Sequence, residues 1–307
     1  MIARISRFAI RKLYPNLRRR LQRGSKTTKL IIIGNCQAEP LAKILQAKNP
    51  FIRITKVITA HTYKHDPQLD ALIRRVDHII TQPLADKFGN IATNTLKQAH
   101  PNKVTTFLNL HFNGFHSDWS YLNTPKGRLH GPMGEYHNVT IVEGFQQGLT
   151  QAETLKRLSS REYNTARYQH AAKASLATLK EREAYVDIKM TDVVERDLVN
   201  KHCSFHAFNH PNKQLLNEEA NRILEHLSIA NMSTDTQGEI LNFTVTRANP
   251  ISTEEPTENI GYLVNISEDG FKRGKGNTPR ADADLVTEFY RIYEQNKAAV
   301  MKFKALY

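Results

Sequence analysis

Between residues 29 and 110, short apolar runs alternate with segments whose apolar residues recur every three or four positions. "KLIII" has the unbroken apolarity of a strand buried on both faces, and "EPLAKILQA" reads as a helix with Leu41, Ile44 and Leu45 on one side. "FIRITKVITA" predicts a second strand, "PQLDALIRR" a helix, "VDHIITQ" a strand, "NTLKQAH" a helix and "KVTTFLNL" a strand. Such alternation implies right-handed crossovers and a parallel sheet covered on both faces, so the fold class is α/β. Beyond residue 140 the pattern turns helical, through "TIVEGFQQGL", "TQAETLKRLS", the charged stretch around 162 to 183, "KQLLNEEANRILEHL" and "ADLVTEFYRIYEQNKAAVMKF". Leu215, Leu216, Ala220, Ile223, Leu224 and Leu227 form one stripe and predict a core-facing helix. "ANPISTEEPTENIG" reads as a surface loop. With neither repeat nor linker, residues 29–307 read as one mixed domain with a helix-rich C-terminal half.

The charge divides the chain differently. The net charge is +13, but ten of the 43 basic residues fall within residues 1–29, and the first acidic residue is Glu39. The other 278 residues carry 33 basic against 30 acidic side chains, which excludes a broadly basic groove, and no nucleic-acid partner is expected. Residues 1–28 form a basic tail. Ile2, Ile5, Phe8, Ala9 and Leu13 recur in it at helical spacing, a pattern suited to an anionic membrane surface and equally to a solvated extension. No apolar run is long enough to span a bilayer, and no signal-peptide core is present. Two cysteines fit a reducing, cytoplasmic setting. In the membrane-binding reading of the tail, the protein would sit peripherally at the inner face of the cell membrane.

Candidate chemistry begins at "GNCQ", residues 34–37, between the first strand and the first helix. Ligands of parallel sheets bind beyond the carboxyl ends of the strands. Gly34 permits a tight turn there, and a helix N-terminus lowers a thiol pKa and offers N–H groups to an oxyanion. Cys36 is therefore placed as a nucleophile would be, or else fills the strand–helix junction as a small buried residue. The turn lacks the glycine spacing of a nucleotide cradle. In "HCSFHAFNHP", His210 precedes a proline and then the apolar helix, where a neutral imidazole could act as general base. His202, Cys203, His206 and His210 match no common zinc spacing, so no metal is expected. Asp66, Asp70, Asp118, Asp187 and Asp192 all qualify as an orienting carboxylate, and spacing selects none.

Taken together, "IIGNCQAEPLAKIL", "HIITQPLADKFGN", "VTIVEGFQQGLTQAETLKRL", "FNHPNKQLLNEEANRIL", "GYLVNISEDGFKRGKG" and "LVTEFYRIYEQN" resemble the WcbI family of polysaccharide biosynthesis proteins. The resemblance implies an O-acetyltransferase that uses acetyl-coenzyme A on a sugar of a capsular or surface polysaccharide, or on its precursor. It also implies an SGNH-hydrolase-like parallel sheet flanked by helices, with "GNC" where those enzymes carry Gly-Asp-Ser. By that likeness Cys36 takes the nucleophile's place and His210 the base's. Asn35, Gln37, Gln82 and Asn209 are then candidates for oxyanion or substrate contacts, and Lys272, Arg273 and Lys275 for the phosphates of coenzyme A. One departure is Ala207, where SGNH enzymes carry the aspartate three residues before the histidine. An esterase or deacetylase of the same fold, and a non-catalytic membrane-associated module, are the alternative readings.

Overall fold

The structure, a computed structural model, describes residues 27–232, 241–246, 259–267, 270–272 and 280–305. The N-terminal half holds a parallel sheet of β1 (Thr28–Gly34), β2 (Ile52–Thr59), β3 (His78–Thr81) and β4 (Val104–Thr106), in the order β2-β1-β3-β4. Phe107 makes a further parallel bridge to Ile188, extending the sheet past β4. Helices α1 (Ala38–Lys48), α2 (Leu69–Arg75) and α3 (Thr93–Ala99) make the crossovers.

The apolar run of β1 is buried on both sides because its side chains alternate between two cores. Leu30 and Ile32 pack with Leu41 and Leu45 of α1 and with Leu216 and Ile223 from the C-terminal half. Ile31 and Ile33 face the other way, onto Leu69, Ile73, Ile79 and Leu96. These four of the seven β1 residues are fully buried, as suits a strand flanked by β2 and β3 within the sheet.

After β4 the chain runs through a buried aromatic segment and then short pairings of β5 (Trp119–Tyr121) with β8 (Tyr136–Asn138) and of β6 (Asn123–Thr124) with β7 (Gly127–Arg128). Helices α4 (Val139–Gln146), α5 (Gln151–Ser159), α6 (Arg161–Tyr168), α7 (Ala171–Glu183) and α8 (Thr191–Val199) follow. The charged stretch read as one helix is thus two, interrupted at Gln169 and His170, and α8 was not foreseen. A short antiparallel pair, β9 (Phe205–Ala207) and β10 (His210–Pro211), leads into α9 (Lys213–His226), whose N-terminus is capped by the Asn212 side chain accepting from Leu215 N–H at 2.9 Å. β11 (Leu241–Thr246), β12 (Asn259–Ser267), β13 (Gly270–Lys272) and β14 (Arg280–Ala281) pair antiparallel, before α10 (Asp282–Gln295) and α11 (Lys297–Val300). The C-terminal half is helix-rich as the pattern predicts, and this second sheet is an addition that the pattern did not show. Of the predicted surface loop, residues 248–261, the last three belong to β12, and residues 248–258 lie outside the described residues. So do residues 1–26 of the basic tail, Arg273 and Lys275. Among the described residues, no helix is long and apolar enough to cross a membrane.

One core residue breaks the apolar pattern. Glu219 on α9 is completely buried and neither carboxylate oxygen has a hydrogen-bond partner. Burial pushes its pKa well above the ordinary carboxylate range. A carboxyl raised in the folded state favours folding at acidic pH, and that advantage is lost as pH rises from the unfolded pKa toward the folded one. Glu219→Leu is therefore expected to stabilise the protein at pH 8 by about 1–3 kcal/mol, with little gain at pH 4. Urea unfolding at the two pH values checks it, and an equal effect at both would contradict it.

Candidate functional site

Gly34 ends β1 and Asn35, Cys36 and Gln37 turn the chain into α1. Gly34 serves the site by its lack of a side chain, since a Cβ there would lie 2.9 Å from Gln82 Oε1. Into that space reaches the Gln82 amide from the end of β3, accepting from the Asn35 N–H at 2.9 Å. The Asn35 side chain accepts from the Gln37 N–H at 2.9 Å and donates to Asn109 Oδ1 at 3.0 Å. Two of the three turn N–H groups are thus engaged within the protein, where the sequence predicted outward-facing donors.

Gln37 joins this turn to the histidine-bearing segment. Its amide is fully buried and makes four hydrogen bonds. Nε2 donates to Leu110 O at 2.7 Å and Asn209 O at 2.9 Å, while Oε1 accepts from Leu110 N–H at 3.1 Å and from Gln82 Nε2 at 3.3 Å. An amide offers two donors and two lone pairs, so Gln37 has no valence left for a substrate. "GNCQ" and "FNHP", 172 residues apart at Gln37 and Asn209, are in this way held against each other.

Around the second segment the partners are aromatic. Asn209 Nδ2 donates to Tyr121 Oη at 2.7 Å, and Tyr136 Oη donates to Asn209 Oδ1 at 2.9 Å and lies 3.2 Å from His210 Nδ1. Phe208 packs against Tyr121, Tyr136 and His111, with ring centroids 5.0–5.4 Å apart. The Arg128 guanidinium stacks over Tyr121, 3.6 Å from the ring centroid, and pairs with Glu135. Burial above all pushes the Tyr136 phenol strongly upward, and it raises Tyr121 against the opposing pull of Arg128. The charge of Cys36 contributes to both shifts, which sets the thiol electrostatically beside the tyrosines that hold Asn209 and His210.

Cys36 itself is exposed, yet the protein around its sulfur is dense enough that desolvation raises its pKa, opposed by its own backbone hydrogen bond. The lowering expected from the helix start is outweighed. Alkylation of Cys36 by iodoacetamide should therefore rise with pH to a midpoint above the roughly 8.5 of an ordinary thiol. Peptide mapping separates it from Cys203, whose half-buried thiol is pushed up to about 11 by burial. A Cys36 midpoint below about 7.5 would contradict this environment.

The carboxylates weighed from sequence are engaged elsewhere. Asp66 pairs with Lys56, Asp192 with Arg222, Asp118 accepts from Asn138, and Asp187 accepts from the N–H and hydroxyl of Thr106. Asp70 is exposed in the first turn of α2. His202 bonds Gln214, while His206 is buried and held neutral, its pKa lowered to about 4 by burial and then by His116 and His210. Among the described residues no group of three His, Cys, Asp or Glu side chains is placed to hold a metal. Sequence reasoning missed Tyr121, Tyr136, Asn109 and the Leu110 backbone, which come from segments with no spacing relation to Cys36 or His210.

Comparison with known proteins agrees with the sequence likeness. Residues 29–232 match the family model described as polysaccharide biosynthesis enzyme WcbI. A solved structure of WcbI superposes with a TM-score of 0.65 at 16% identity, covering 90% of this chain and 98% of the other. That structure is described as a novel polysaccharide biosynthesis enzyme, in its native form without a disulfide bond between coenzyme A and one of its cysteines. At this identity the likeness speaks for the fold. No curated protein matches the chain.

Proposed function

The chain belongs to the WcbI family of polysaccharide biosynthesis enzymes, and from that premise we propose that it is a coenzyme A-dependent O-acetyltransferase acting on a sugar of a surface polysaccharide or its precursor. The observation that carries the reading is the junction of the two turns, in which the Gln37 amide bonds the Asn209 carbonyl beneath an exposed cysteine and next to a histidine. Coenzyme A enters through the relative whose description names it. A turn after the first strand of a parallel sheet is also where the SGNH likeness would put the nucleophile.

In this reading the Cys36 sulfur attacks the thioester carbon of acetyl-coenzyme A. The bond to the coenzyme sulfur breaks, and the proton of the Cys36 thiol leaves with coenzyme A. One thioester replaces another, so the exchange is nearly balanced in free energy. The acceptor hydroxyl then attacks the Cys36 thioester while His210 removes its proton and delivers it to the departing sulfur. The acetyl group has moved from sulfur to oxygen and the proton from oxygen to sulfur. Asn35, Gln37 and Gln82 brace the turn. Lys272, Arg273 and Lys275 are assigned to the phosphates by charge alone, and the basic tail to an anionic surface on the same ground.

Calorimetric titration with coenzyme A and acetyl-coenzyme A tests the reading. Micromolar binding is the expected result. No heat at millimolar ligand, together with hydrolysis of acetylated sugars, would overturn it in favour of an esterase.

A further inference from the structure

We propose that Tyr136 is the positioning residue for His210, taking the part that position 207 cannot fill, and that a directional hydrogen-bond chain fixes which imidazole nitrogen acts as base. The proposal deepens the preceding reading and rests on His210 serving there as base. Position 207 is a fully buried alanine on β9, and Tyr136 Oη stands 3.2 Å from His210 Nδ1.

The direction of the chain follows from what each group can do. Asn209 Nδ2 has only protons to give, and it donates to Tyr121 Oη at 2.7 Å. Its Oδ1 has only lone pairs, so the contact of 2.9 Å with Tyr136 Oη uses the phenolic proton of Tyr136. A phenol carries one proton. With that proton committed to Asn209, Tyr136 meets His210 Nδ1 through an oxygen lone pair, and the imidazole must supply the hydrogen. His210 is thereby held with its proton on Nδ1 and a lone pair on Nε2.

Burial keeps this device in its protonated form. Tyr136 is only 6% exposed and packs against Tyr121 and Phe208 at centroid distances of 5.5 and 5.4 Å, an enclosure that disfavours the phenolate. The hydroxyl keeps its proton throughout. During transfer Nε2 accepts the acceptor's hydroxyl proton, the Nδ1–H bond to Tyr136 is retained, and the proton passes from Nε2 to the Cys36 sulfur as the thioester opens. A neutral oxygen partner stabilises the imidazolium less than a carboxylate would, so the site depends on orientation more than on charge.

The tautomer can be read without turnover. In protein labelled with ¹⁵N-histidine, two-bond proton–nitrogen correlations report which nitrogen of neutral His210 is protonated, with His210→Gln identifying its signals. The wild type is expected to show the proton on Nδ1. Tyr136→Phe keeps the ring and removes the hydroxyl; it is expected to move His210 toward the Nε2–H form and lower kcat roughly 10- to 100-fold, leaving KM for acetyl-coenzyme A unchanged. A wild-type ring protonated on Nε2 overturns the proposal without reference to any variant, as does an unaltered tautomer in Tyr136→Phe. If no acceptor is acetylated, the acyl-transfer reading fails, and the tautomer measurement still decides the role of Tyr136.

Discussion

His210→Ala is expected to slow acetyl transfer to the acceptor by about 10²–10⁴-fold, while calorimetry finds coenzyme A bound as in the wild type. The size follows from the role proposed for the histidine. A sugar hydroxyl is almost wholly protonated at neutral pH, and its attack on a thioester needs a group to take the proton as the bond forms. Among the residues held around Asn209, the tyrosines cannot do this, because burial pushes both phenols upward and keeps them protonated. His206 is neutral but buried on β9, with only 9% of its surface exposed, whereas His210 is half-buried at the turn. Steady-state rates at saturating acetyl-coenzyme A check the prediction. A loss confined to KM would show that His210 binds the donor instead.

Gln37→Leu is expected to destabilise the fold by about 3 kcal/mol or more, which is large for one side chain. The substitution nearly preserves volume, so the cost is polar. It leaves Leu110 N–H, Leu110 O, Asn209 O and Gln82 Nε2 without their partner in a buried setting. Gln37→Glu is a sharper test. A carboxylate still accepts from Leu110 N–H and Gln82, but it sets an acceptor against the carbonyls of Leu110 and Asn209, where Nε2 now donates. The glutamate variant should be at least as unstable at pH 8 and should recover partly on acidification, as the carboxyl regains a proton to donate. Urea midpoints across pH measure both effects. A Gln37→Leu protein of wild-type stability would mean that the two turns are held together by other contacts.

How much of this was legible in the sequence depends on whether the signal was local. β1 and α1 were readable because a run buried on both faces and a helical stripe each leave a pattern within a dozen residues. The N-terminal sheet followed from repetition of that pattern. The helical reading of 162 to 183 failed at Gln169 and His170, where nothing in the pattern forces a break. The antiparallel strands from Leu241 to Ala281 were missed because helices on either side dominated the reading of that half. For the site, Cys36 and His210 stood out by residue type and by their turns. Gln37 was seen as a substrate contact, and only its four partners reveal a brace. Tyr136 could not have been chosen, since its link to His210 spans 74 residues with no periodicity to mark it. Ala207 was the one available hint, standing where the SGNH likeness would put an aspartate.

The most direct test is to incubate the protein with acetyl-coenzyme A in the absence of acceptor and map the modified peptide by mass spectrometry. One acetyl group on Cys36, absent from Cys36→Ala and discharged when the sugar acceptor is added, is the predicted result. A Cys36→Ala protein that acetylates the acceptor at the wild-type rate would contradict it, removing the cysteine from the chemistry and leaving the turn a structural junction.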